Sequence, residues 1–291
     1  MNVSYWQSSP GFTGLPIAPG RSGDRYGLWL NCLNFSSPDC TLEWDEWNLA
    51  RAFVTPADTV IEFGARYGLT SCALADAMNN SGRLVSVEPD SRAFGALLRN
   101  RQANRCNFHA MLGTVHDEPL ALGHLSRFHY DQKTRLAHGR SDALPTLSFR
   151  EVEAKIGSKF TCALIDCEAR CYPSNHQLCV RVVPDVADKP LRVPSVQGCI
   201  RLVWATGLIH QLRLVMLEED ILGREYSKVW HPRLRVAGFV RVWNAIDHRN
   251  PRTGNHSAWV KSSILGSLKY VSCSEYRTKR KLPRRALRCA D

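Results

Sequence analysis

A chain of 291 residues can bury a full core and suits one α/β domain with extensions. Its 44% hydrophobic and 22% charged residues are ordinary globular composition, and no apolar run approaches the roughly 20 residues of a membrane helix. The net charge of +11 is local: residues 169 to 217 hold six Lys/Arg against two acids and residues 269 to 291 hold eight against two, so these stretches contribute +4 and +6 and leave +1 for the rest. A nucleic-acid enzyme spreads basic residues over its binding face. This near-neutral core argues against a specific nucleic-acid partner.

In chain order, residues 1 to 40 are rich in Gly, Pro and Ser and read as a flexible lead-in. Their first twenty residues have no basic start followed by an apolar core, so they do not read as a secretory signal. Leu42, Trp47, Ala50 and Val54 fall near helical spacing. Thr59 to Phe63 reads as a first strand, Leu69 to Met78 as a helix stopped by Asn79, Asn80 and Gly82, and Leu84 to Val87 as a second strand. Asp90 or Ser91 caps the next helix, which runs through Phe94, Leu97, Leu98 and Arg101. Asn107 to Leu112 is a third strand running into Gly113.

His116, His124, His129 and His138 are scattered in a polar stretch without shared spacing, so they read as solvated loop histidines. A helix over Leu147 to Ile156 precedes a fourth strand, Phe160 to Ile165, that ends in Asp166, Cys167 and Glu168. Leu212 to Leu217 is a further strand ending in Glu218 and Glu219, which read as a solvated strand end. A helix over Tyr226 to Ala237 stops at Gly238, and Phe239 to Trp243 and His256 to Val260 close the sheet. Strands alternating with helices imply a mostly parallel sheet with helices on both faces. The basic tail, residues 269 to 291, reads as a solvated end with weak contact to anionic surfaces.

Eleven cysteines are scattered, and Cys72, Cys162 and Cys167 sit in apolar runs as small buried hydrophobes, so the thiols read as reduced and the chain as intracellular, provisionally cytoplasmic. Cys167, Cys171 and His176 lack the second close pair that zinc requires, and no metal site is assigned.

The most informative segment is TVIEFGARYGLTSCALADAMNNSGRLVSVEPD, residues 59 to 90. A strand, a glycine turn, a helix and a second strand ending in an acid make a nucleoside-binding βαβ unit. Gly64 and Gly68 let a ligand approach the backbone, and Glu88, twenty residues past Gly68, can accept both ribose hydroxyls. Only G-x-x-x-G is present, and Glu62 beside it would repel a pyrophosphate yet suit a cation. S-adenosylmethionine, carrying an ammonium and a sulfonium, fits this turn better than NAD does.

The motifs E-x-G-x-x-x-G, V-E-P-D, I-D-C-E, L-E-E-D and a late A-G-F resemble the FkbM-like S-adenosylmethionine-dependent methyltransferases over residues 42 to 168 and 208 to 260. The resemblance implies the Rossmann-like class I methyltransferase fold, a mostly parallel seven-stranded sheet with helices on both faces. It implies O-methylation of a small-molecule or glycan hydroxyl, with S-adenosyl-L-methionine as cofactor. Carried over, Glu62, Gly64 and Gly68 hold the methionine end, Glu88 the ribose, and Gly113 and Thr114 flank the adenine. Asp166 and Glu168 match an aspartate and a glutamate at the fourth strand's carboxyl end; either one removes the acceptor's proton or orients the cofactor.

Two departures stand out. Arg66 occupies a position where the family commonly has Asn, and its cation opposes a cationic cofactor unless it points outward. Residues 169 to 206 carry Pro173, Pro184, Pro190 and Pro194 where the family continues with a helix. They read either as an acceptor-recognition insert or as sequence not selected to pack, which keeps a catalytically impaired methyltransferase-fold protein open as an alternative. An NAD-linked oxidoreductase is the other, disfavoured by the missing third glycine.

Overall fold

The computed structural model describes residues 6–7, 44–122, 134–137, 142–166, 198–219, 226–246 and 255–267. Five parallel strands form its centre: β2 (Val60–Phe63), β3 (Leu84–Glu88), β4 (His109–Leu112), β9 (Cys162–Ile165) and β10 (Leu214–Glu219). The short strands β5 (Thr114–Val115), β6 (Leu120–Leu122), β7 (Thr134–Leu136) and β8 (Thr146–Leu147) form two small two-stranded sheets. β11 (Phe239–Ile246) and β12 (Asn255–Lys261) close one edge of the main sheet. A two-residue strand, β1 (Trp6–Gln7), pairs antiparallel with β4 at the other.

The strand order is β1-β4-β3-β2-β9-β10-β12-β11, with β12 antiparallel to both of its neighbours. Without β1, the order is third, second, first, fourth, fifth, seventh, sixth. This is the Rossmann-like class I methyltransferase fold. The order reverses between β2 and β9, so the crevice at their carboxyl ends is the topological switch point where such sheets take ligands.

The central strands are buried on both faces, which is why they read as continuous apolar runs. Alternate residues divide the core. On one face α1 (Trp44–Phe53), α2 (Leu69–Ala77) and α3 (Ser91–Ala103) pack Leu49, Leu69 and Phe94 over Val60, Leu84, Leu164 and Met216. On the other, α4 (Phe149–Ile156), α5 (Gly198–Ala205) and α6 (His231–Val236) pack Val152, Val203 and Leu234 over Ile61, Val85, Ala163 and Val215.

Local signals set the helix ends. The Asp90 side chain accepts the Arg92 N–H and starts α3. Ser148 and Glu151 form a reciprocal capping box on α4, which ends at left-handed Gly157. The expected single helix from Tyr226 is instead a π-helical turn, Tyr226–Trp230, leading into α6, because Pro232 has no N–H to return to the preceding turn. The last residues of the proline-rich stretch do pack: α5 begins after Pro194 and buries Ile200 and Val203.

At the amino-terminal edge, Asp58 holds three segments together. It accepts Arg213 Nε at 2.5 Å and Thr161 Oγ1 at 2.9 Å, and Arg213 Nη2 also donates to it. Burial alone would raise the Asp58 pKa, but the hydrogen bonds and charge of Arg213 overcome burial and lower it.

The expectation of reduced thiols is corrected. Cys72 is buried as expected, but it is bonded to Cys106 across 34 residues, with the Cα atoms 5.3 Å apart; Cys199 is disulfide-bonded as well. Sequence spacing hid the first pair because it joins α2 to the turn before β4, elements brought together only by packing on one sheet face. Bonded cysteines fit an oxidising compartment and remove the cysteine-based reason for a cytoplasmic one. Cys162 is a buried free thiol whose pKa burial pushes up, which leaves it inert.

Non-reducing peptide mapping is expected to recover a Cys72–Cys106 cross-link. Replacing both residues by Ala should lower the unfolding free energy by about 2–4 kcal/mol in urea titration.

Candidate functional site

β2 delivers the chain to a turn in which Gly64, Arg66 and Gly68 adopt positive φ of 90°, 47° and 87°. The turn is stitched to β3: Gly64 N and Ala65 N donate to Val87 O at 3.1 and 3.0 Å. Glu88 completes the stitching. Its Oε2 accepts Arg66 N and its Oε1 accepts Asp90 N, each at 2.7 Å. Each carboxylate oxygen keeps acceptor capacity for a further donor. Burial is the largest influence on Glu88 and raises its pKa to about 7 against the backbone donors of Asp90 and Arg66.

Glu62 lies on the same face of the sheet as Val60 and Leu164 and is fully buried. Its Oε2 accepts Ser71 Oγ, from the first turn of α2, at 2.5 Å. Its Oε1 has no donor within hydrogen-bonding distance, although the Ser86 hydroxyl is near enough to lower the Glu62 pKa. Burial pushes Glu62 up to about 7; the Ser71 and Ser86 hydroxyls pull it down, while Asp166 and Glu88 add to the rise. A buried acceptor without a close donor costs free energy.

The glycines have packing reasons as well. A Cβ on Gly68 would lie 2.6 Å from Leu97 Cδ1, so glycine there lets α2 start against α3. Gly113 (φ 135°) leaves β4, and its Cβ would lie 2.1 Å from Pro145 O. Thr114 N donates to that same carbonyl at 2.9 Å, and Thr114 Oγ1 lies 3.0 Å from Thr146 Oγ1. Gly113 N donates to Glu88 O at 3.0 Å, which fixes the Gly113–Thr114 corner to the end of β3. Arg66 does not simply point away from the acids: its guanidinium lies 5.2 Å from the Tyr67 ring centroid, and its charge lowers the pKa of both Glu88 and Asp90.

Asp166 follows β9 and donates its N–H to Phe63 O at 3.1 Å, which seats it beside the turn. Glu168 lies outside the described residues, as do His124, His129, His138, Cys167 and residues 269 to 291. Glu218 is not a solvated strand end. One of its carboxylate oxygens lies within 4.8 Å of ligand atoms from Asp166 and Glu46, and its side chain is 26% exposed. His256, its register partner on β12, brings Nε2 to 3.6 Å from Glu46 Oε1 and 3.9 Å from Glu218 Oε1.

Glu46 and His256 were absent from the sequence-derived set. Glu46 had a signal: it stands three, four and seven residues before Leu49, Ala50 and Phe53, on the apolar stripe of α1. His256 had a weaker one, alternating with the inward-facing Ala258 and Val260.

No protein-family model matches the chain, and no curated protein matches it by sequence. Solved structures that overlay on it include an O-methyltransferase from Bacillus cereus in complex with SAH, with a TM-score of 0.46, 11% identity, and coverage of 84% of this chain and 93% of that one. The O-methyltransferase TomG from Streptomyces achromogenes, in complex with SAM, overlays with a TM-score of 0.43 and 12% identity over 84% of this chain and 91% of its own. Fibrillarin from Aeropyrum pernix, with natively bound S-adenosyl-L-methionine, gives 0.39 and 15% over 75% and 76%. At these scores the likeness adds nothing to what the strand order already states.

The raised acids set a pH dependence. An acid whose folded pKa is raised binds more protons folded than unfolded between about 4.5 and about 7. Its contribution to stability is therefore full below pH 4.5 and is lost as pH rises through 7. Glu62→Gln should leave stability unchanged near pH 4.5 and raise it at pH 8 by on the order of 1–3 kcal/mol, measured by urea unfolding. Equal stability of the two proteins at pH 8 would show that Glu62 carries no burial penalty.

Proposed function

We propose that the chain is an S-adenosylmethionine-dependent methyltransferase, resembling the FkbM type, that transfers a methyl group to a hydroxyl oxygen of a small molecule or glycan. The observation that carries this reading is the fully buried Glu62 carboxylate, with no donor within hydrogen-bonding distance of Oε1, beside a glycine turn at the sheet's switch point. A dinucleotide pyrophosphate would be repelled there, whereas an ammonium supplies the missing donor. The fold is the one in which such a pocket is expected.

The cofactor supplies a methyl carbon activated by a sulfonium. Glu62 would hold the ammonium of its methionine end. Glu88, already fixed by Arg66 N and Asp90 N, accepts the ribose hydroxyls with its remaining lone pairs. Gly64 and Gly68 keep the turn close to the ligand, and Gly113 and Thr114 line the adenine side. Asp166, beside the turn, and Glu168, two residues further along the sequence, are the candidates for the carboxylate that would take the proton lost by the attacking hydroxyl. Holding the acceptor oxygen in line with the methyl carbon supplies much of the rate, so the residues that fix the turn matter as much as the base.

Calorimetric titration with S-adenosylhomocysteine tests the assignment. The parent should bind it and not NAD, and Glu88→Gln, with an unchanged circular dichroism spectrum, should lose binding at least tenfold. An unchanged affinity in Glu88→Gln would remove Glu88 from the pocket.

A further inference from the structure

Residues 226–246 and 255–267, which form the edge of the sheet at α6, β11 and β12, contain no Asp or Glu but hold Lys228, Arg233, Arg235, Arg241 and Lys261. Four of these cations rest on aromatic rings. The guanidiniums of Arg235 and Arg241 lie 5.9 and 5.8 Å from the centroid of one ring, Trp259; that of Arg233 lies 5.1 Å from Trp230, and Lys261 Nζ lies 4.3 Å from Phe239. Arg241 and Trp259 are register partners on β11 and β12, as are Phe239 and Lys261, so these side chains share one face. Arg235 and Arg241 are exposed, and among the described residues neither meets a carboxylate. Glu219, which reaches α6 at His231, is buried and already bonded to His231 and Ser257. Packing on Trp259 therefore fixes two positive charges that no described acid neutralises.

A second observation falls on the same corner. Among the described residues, the exposed large hydrophobic side chains are Val236, 83% exposed, and Val240, 41% exposed. Val236 ends α6 and Val240 is the second residue of β11. The turn between them is pinned, because Lys261 Nζ donates to Ala237 O at 2.5 Å and Ser262 N donates to Gly238 O at 2.8 Å. Apolar side chains are thus held in water beside unneutralised arginines.

Together these features select among polyanions. Single-stranded nucleic acid stacks its bases on aromatic faces, but Trp230, Trp259 and Phe239 are buried beneath the cations. An anionic bilayer uses both features: Lys and Arg meet the headgroup phosphates while an aliphatic side chain enters the headgroup boundary. We propose that the corner formed by α6, β11 and β12, centred on Arg235, Val236 and Arg241, docks the protein on anionic phospholipid bilayers. Phe239 and Lys261 lie one step beyond the Leu214–Val260 pair, so the corner sits at the amino ends of the parallel strands. Glu62 and Glu88 lie towards the opposite, carboxyl edge, and docking leaves that edge open. The proposal does not depend on the methyltransferase reading.

The test is cosedimentation of the full chain with vesicles of phosphatidylcholine containing about 30% phosphatidylserine, against vesicles of phosphatidylcholine alone. Binding is expected to the anionic vesicles and to weaken as salt screens the charges. Each cation near such a surface contributes about fivefold to partitioning, so Arg235→Glu/Arg241→Glu should lower it by at least about tenfold. Val236→Ser, which keeps the charge, should lower it about twofold or more. If the charge reversal does not keep the parent's circular dichroism spectrum, Arg235→Gln/Arg241→Gln replaces it, with the same direction expected. No binding, equal binding to both vesicles, or parent-like binding in a folded arginine variant overturns the proposal. The last result would place the contact in the basic residues 269 to 291 instead. A parent that ignores vesicles but binds poly(U) in a salt-sensitive way also overturns it. S-adenosylhomocysteine affinity should be unchanged in these variants; its loss would show that the corner serves the cofactor site and overturn its separate role.

Discussion

The site depends on one carboxylate and two backbone N–H groups. Glu88, at the last position of β3, accepts from Arg66 in the turn after β2 and from Asp90 at the start of α3. A short side chain thereby fixes the exit of one strand and the entry of a helix relative to the neighbouring strand. The turn can then hold its three positive φ angles, and the first turn of α2 can bring Ser71 to Glu62. Without the Glu88 bonds, the N–H groups of Arg66 and Asp90 would need other acceptors, a cost of about 1–3 kcal/mol for each one left buried.

Two deeply buried acids show how the molecule separates structure from site. Glu219 is 1% exposed, yet its Oε1 meets His231 Nε2 at 2.8 Å and accepts the Ser257 hydroxyl, which in turn accepts Trp259 Nε1 at 2.9 Å. That network closes on itself. Glu62 is buried as deeply on the opposite face, with no donor within hydrogen-bonding distance of Oε1 and with Asp166 near enough to help raise its pKa.

Much of the sheet was legible because parallel strands bury both faces and appear as uninterrupted apolar runs, as in Val60–Phe63 and Leu84–Glu88. The end of β3 at Glu88 and the Asp90 cap were legible for local reasons: each depends on residues a few positions away. What was not legible depends on distant partners. Gly68 and Gly113 also have packing reasons, Leu97 and the Pro145 carbonyl, that sequence spacing does not reveal. Cys72 looked like a small hydrophobe because Cys106 reaches it only in the folded chain. Glu46 and His256 join Asp166 and Glu218 from elements far apart in sequence, and no spacing rule links them.

The most direct measurement of the central claim is a crystal structure of the chain with S-adenosylhomocysteine. The account predicts the ligand's ammonium within hydrogen-bonding distance of Glu62 Oε1 and its ribose hydroxyls on Glu88, with the Arg66 and Asp90 N–H bonds retained. A ligand bound elsewhere, or one whose ammonium leaves Glu62 Oε1 unpaired, would contradict it.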